Sequence, residues 1–257
     1  MSPESPTASV PLIPLSRGID GRWTVPGAIS FVVFVMGSAA LAGLAAQQSY
    51  VMWRGGGESG DGAPLAGAEA RNLFLVLQIA GQLLELALIG WLAAYWHADP
   101  RSALNLAPAR LRPAEWLGAV GLLFGMKIVA TLVASGIAPA NPREEMAPFI
   151  ELVRTPSGWL MFLVVVVLAG ATEELLFRGV LSRTLEATRL GFWGGAAVSS
   201  AAFASLHMQY GIGGQFVIFA IGMTLSWIRA RSGSLWPAIL CHAINNAVAL
   251  VAMKVIS

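Results

Sequence analysis

Apolar residues run in long blocks along this chain, with polar residues gathered in short breaks between them. A helix crossing a bilayer needs about 20 mostly apolar residues. Seven blocks approach that length: Pro26–Ala46, Leu73–Trp96, Trp116–Ala138, Gly158–Leu181, Phe192–Met208, Gln215–Ile228 and Leu235–Val251. The fifth and sixth are short, with only Gln209–Gly214 between them, so a tight hairpin or a partly re-entrant pair is expected there. The pattern predicts an all-α, polytopic transmembrane bundle of about seven spans. Residues 1–24, with Pro3, Pro6, Pro11 and Pro14, read as a flexible cytoplasmic tail. Residues 25–257 then form the membrane-embedded domain. The first apolar run is too long for a signal peptide core and is read as a retained span.

Composition narrows the function. Of 257 residues, 56% are hydrophobic and 12% charged. That charged share is about half of what a soluble domain carries. The formal net charge of +2 is too small for a nucleic-acid binder. A single cysteine excludes a disulfide framework and multi-cysteine metal sites.

Positive charge assigns the sides. Arg17, Arg22, Arg101, Arg110, Arg112, Arg183, Arg189, Arg229 and Arg231 fall in the tail and the even-numbered loops. Arg54, Arg71, Arg143, Arg154 and Lys254 fall in the others, beside Glu144, Glu145 and Glu151. This bias favours a cell (plasma or inner) membrane protein with a cytoplasmic N-terminus and an external C-terminus.

Ionisable groups inside lipid are costly and mark functional sites by default. Three clusters stand out. Glu173 and Glu174 are adjacent, and Arg178 is one turn from Glu174, so those two share a helix face and can pair. Glu173, turned about 100° around the axis, is left free. Phe203 and His207 close the fifth span. His242 and Asn246 lie one turn apart on a face of the last. Each cluster alone also fits ordinary helix-end charges, a packed histidine or polar glue between helices. Cys241 reads as a small apolar filler.

Taken in order, Glu-Glu-x-x-x-Arg, Phe-x-x-x-His and His-x-x-x-Asn on three spans resemble the CAAX-protease and bacteriocin-processing (CPBP, or Abi) intramembrane proteases. That family includes the eukaryotic prenyl-protein endopeptidase. The likeness covers Gly158–Val251, the motif-bearing core of residues 158–251. It implies a peptidase with catalytic Glu173, Glu174, His207, His242 and Asn246, supported by Arg178, at a site opening towards the cytoplasm. The residues can do that chemistry. Glu173 is a base for water, and His207 holds that water against it. His242 and Asn246 are donors to an oxyanion, and the Glu174–Arg178 pair steadies the catalytic carboxylate. A metal-free, glutamate-activated water is the favoured reading, with no cofactor. Two imidazoles and a carboxylate can also hold zinc, which would then sit on Glu173, His207 and His242. The expected partners are the lipid bilayer and a peptide or membrane-protein substrate.

Helix rise offers a depth test. Glu173 and His242 meet in the inner half of the bilayer, while His207 falls too deep for its partners unless the fifth helix tilts or starts inside the headgroup region. Other protease types fit less well, since His-Glu-x-x-His and Gly-x-Ser-x-Gly are absent and the Gly60–Asp61 pair lies in a loop. Ser205 points away from His207 if the helix continues. Two further classes compete: a non-catalytic immunity or binding protein, and a proton-coupled transporter. Glu85 and Lys127 lend the transporter some support, although they could pair with each other or line the substrate entrance. A transporter is expected to show an inverted repeat, and the sequence shows no repeat of fixed period.

Overall fold

The computed structural model describes residues 24–38, 67–96, 99–138, 145–146, 150, 153 and 158–256. The proline-rich tail, the latter part of the first span and most residues of the two long loops lie outside them. The described residues form helices and connecting turns without strands. They are α1 (Val25–Ser38), α2 (Gly67–Trp96), one-turn α3 (Pro100–Ala103), α4 (Pro113–Ile137), α5 (Trp159–Glu186), α6 (Gly191–Ser205), α7 (Ile212–Ser232) and α8 (Trp236–Ile256). Five of them (α2, α4, α5, α7 and α8) contain stretches long and apolar enough to cross a membrane.

Each expected span has a helix, with two differences. The sixth is not short: α7 runs 21 residues. Arg229, which suggests a polar terminus, is buried against Glu186, so the helix continues past it. The fifth is short indeed, 15 residues in α6, and α6 leans on α5 rather than spanning by itself.

Local chemistry sets the helix ends. Asp99 caps α3, its carboxylate accepting from the backbone N–H of Arg101 and Ser102, with Pro100 in the first turn. Pro113 opens α4, and Glu115 reaches back to the Arg112 N–H. Gly233, at φ +67°, stops α7 in the left-handed conformation that glycine adopts without strain.

One end of the bundle is closed by a cross-braced floor. Arg183 of α5 donates to the carbonyls of Ser102 and Ala103. The Leu235 N–H donates to the Asn105 carbonyl, the Ser234 hydroxyl to that of Ala107, and the Trp236 indole to that of Leu106. The same turn brings Leu235 against Gly179, so α8 starts well inside the end of α5. At this end lie the exposed Arg101, Arg110, Arg112, Arg189 and Arg231.

α6 runs antiparallel to α5 at short range because its contact residues are small. A Cβ on Gly195 would lie 2.7 Å from the backbone nitrogen of Glu186, which cannot move aside. We therefore expect Gly195→Val to lower stability by about 1–3 kcal/mol through overpacking. The check is a lower midpoint in a detergent thermal melt.

Candidate active site

α5 carries both carboxylates, and its winding changes around them. Phe162–Ala169 and Leu175–Ser182 are π-helical, while Gly170–Glu174 between them is α-helical. Such widened turns frequently accompany functional sites. Glu174 and Arg178, four residues apart, lie inside the protein with no exposure, and Arg178 Nη1 donates to Glu174 Oε1 over 2.8 Å. The guanidinium also rests on the Phe203 ring, 4.5 Å from its centroid. Gly222 of α7 makes room for it, since a Cβ there would come within 2.7 Å of Arg178 Nη2.

Glu174 holds a second partner, His242, whose Nδ1 lies 2.9 Å from the same Oε1. A carboxylate already receiving an arginine bond accepts, so Nδ1 carries the proton. His242 Nε2 then faces Glu173, 3.6 Å from its Oε2. His207 is held in a parallel way. Its Nδ1 lies 2.9 Å from the Phe203 carbonyl, which only accepts, so its Nε2 is the ring nitrogen left without that bond. Asn246 Nδ2 donates to the Val165 carbonyl over 2.9 Å and has a second N–H to offer.

Glu173, His207, His242 and Asn246 line one cavity of about 240 Å³. Of the residues expected at the site, these four come together there. Glu174 and Arg178 stand behind the wall, so Glu174 holds His242 and does not itself face the cavity. His242, expected as an oxyanion donor, supplies an Nε2–H only when its ring carries both protons. Asn246 is a donor in any state. Among the described residues no group of three or more His, Cys, Asp or Glu side chains is disposed to hold a metal ion. No step below passes through a metal. Cys241 is fully buried in the apolar core.

The depth problem also resolves. α6 starts level with the end of α5, as the contact between Gly195 and Glu186 shows. Ser199 then donates to the Phe177 carbonyl, and Phe203 meets both Phe177 and His242. One further turn brings His207 to the level of Glu173. The helix ends at Ser205, so His207 sits in the turn beyond it, and Ser205 bonds its own helix through the Ala202 carbonyl.

Several wall residues carry no sequence motif: Gln78 and Gln82 of α2, and Gln209 and Tyr210 after α6. Amides within an apolar span were the available signal for the first two. Glu145 roofs this turn by accepting from the Gly211 N–H. Burial, then the carboxylates of Glu145 and Glu173, push the Tyr210 phenol above its ordinary value, so it stays protonated. Lys127 forms no ion pair with Glu85; it donates instead to Asn245.

The cavity extends from Glu173 and His242 past Leu75, Met161 and Met253, towards the end opposite the arginine-bearing floor. α8 also finishes at that end. The Met253 end of the cavity and the end of α8 thus lie on one side of the bundle.

Residues 155–248 match the model of a protein family described as type II CAAX prenyl endopeptidase Rce1-like. The chain is 30% identical over 139 residues to an uncharacterized 24.3 kDa protein of Escherichia coli, covering 53% of this chain and 62% of the relative. It therefore spans less than two thirds of that relative. No solved structure matches it.

Proposed function

We propose that the Rce1-like domain at residues 155–248 makes this multi-pass membrane protein an intramembrane endopeptidase that cleaves a peptide bond with a water activated by Glu173. The observation that carries this reading is the convergence of Glu173, His207, His242 and Asn246 on one cavity from three elements of the bundle.

In the proposed reaction, water sits between the Glu173 carboxylate and His207 Nε2. Glu173 takes its proton as the oxygen attacks the scissile carbonyl. Asn246 donates its second N–H to the oxyanion. The proton then passes to the leaving amine, and the C–N bond breaks. His242 stands beside Glu173 to share the proton that Glu173 has taken, pinned in that orientation by Glu174 and Arg178. Apo geometry at such a site is often long, so 3.6 Å is compatible with a bond that shortens when substrate binds. On this reading the protein sits in a plasma or inner membrane, with a peptide or membrane protein as substrate.

The test is cleavage of an internally quenched peptide library by purified protein in detergent. Asn246→Ala should lower kcat about 10²–10³-fold, the usual loss for one oxyanion donor. A chelator such as 1,10-phenanthroline should leave wild-type kcat unchanged. Full activity in Asn246→Ala, or inhibition by the chelator reversed by added zinc, would overturn this mechanism.

A further inference from the structure

Behind Asn246 runs a chain of hydrogen bonds that joins three helices. Lys127 Nζ of α4 lies 2.9 Å from Asn245 Oδ1. Asn245 Nδ2 donates to Asn246 Oδ1 over 3.2 Å, and Asn246 Nδ2 donates to the Val165 carbonyl of α5 over 2.9 Å. Both ends of this chain are fixed. An ammonium can only donate, and a backbone carbonyl can only accept. Each carboxamide between them could otherwise be turned over, exchanging its oxygen and nitrogen. With the ends fixed, every link must run in one direction, and Asn246 must show nitrogen to the Val165 side and the cavity.

We infer that Lys127 is a positioning residue that, through Asn245, sets Asn246 as a donor towards the reacting carbonyl. The inference rests on the endopeptidase reading above and deepens it. Asn245 is buried and Lys127 is half-buried within an apolar span. A cation is expensive there, and a role in fixing the amide direction accounts for it. Without the ammonium, Asn245 can turn and offer its nitrogen to α4. Asn246 keeps its nitrogen on the Val165 carbonyl but loses the Asn245 donor that holds its oxygen, so its second N–H is no longer fixed towards the reacting carbonyl.

The experiment is a kinetic cycle on the best-cleaved peptide of the quenched library, using full-length protein. Lys127→Met should lower kcat about 10–100-fold, as loss of an orienting partner does at other sites, with KM nearly unchanged. Lys127→Arg, which still donates, should keep kcat within about threefold of wild type. In an Asn246→Ala background, Lys127→Met should change kcat less than twofold, because the group it orients is already gone. An equal loss in both backgrounds, or wild-type kcat in Lys127→Met, overturns the inference. Should Lys127→Met not fold, Asn245→Asp is used in its place. It keeps an acceptor for Lys127, removes the donor to Asn246, and must show the same dependence on background. Absence of cleavage of any library peptide by the wild-type protein would instead overturn the endopeptidase reading itself, so the two failures are distinguishable.

Discussion

Replacing Glu173 with Gln should reduce kcat by about 10³–10⁴-fold while leaving the thermal melt in detergent unchanged. The size follows from the loss of a general base, a step worth about 10²–10⁴, taken in its upper half because Glu173 is the one carboxylate among the described residues lining the cavity. Stability should hold because Glu173 is partly open to the cavity and has only the 3.6 Å approach to His242. Gln keeps the shape and loses the charge. The measurement is steady-state cleavage of a quenched peptide beside a melt of the same preparation. A variant that folds and still cleaves at the wild-type rate would refute a glutamate-activated water.

The largest effect on stability is expected at Arg178. Arg178→Met leaves the Glu174 carboxylate buried without its cationic partner. Breaking a buried pair from one side costs about 3–5 kcal/mol. Both groups have no exposure, so solvent screening does not soften that loss. The double variant Glu174→Leu/Arg178→Met removes both charges, and its stability should return close to wild type. Its activity should not return, because His242 loses the Oε1 atom that fixes its ring. Detergent unfolding midpoints, read beside cleavage rates for wild type and the two variants, test the separation. Restored cleavage in the double variant would show that Glu174 has no part in orienting His242.

These expectations show which parts of the molecule were legible in its sequence. Long apolar blocks mark the helices because every backbone polar group in lipid must be satisfied within its own segment. The Glu174–Arg178 pair follows from helical spacing alone. The second bond from Glu174 to His242 joins residues 68 positions apart, and no local pattern encodes it. The positions of helix ends were equally hidden. α8 starts against Gly179 because the Asn105–Ala107 segment folds inward and binds the 234–236 turn, so rise counted from a common membrane plane misplaces its residues. Arg229 shows the same difficulty from the other side. Its charge reads as a loop, yet its guanidinium is buried against Glu186.

The same burial weakens the charge rule. Arg183 is committed to the carbonyls of Ser102 and Ala103, and Arg229 to Glu186. Two of the nine arginines counted as topological markers are therefore internal braces of the finished fold. The remaining asymmetry depends on Arg17 and Arg22 of the tail.

The hollow is lined at its far end by Leu250 and Met253, the latter within a turn of the end of α8. The compartment on whose side α8 finishes is therefore also the one nearest this end of the hollow. A tag fused behind Ser257 would thus report which side this end of the hollow faces, with no knowledge of what the peptide is.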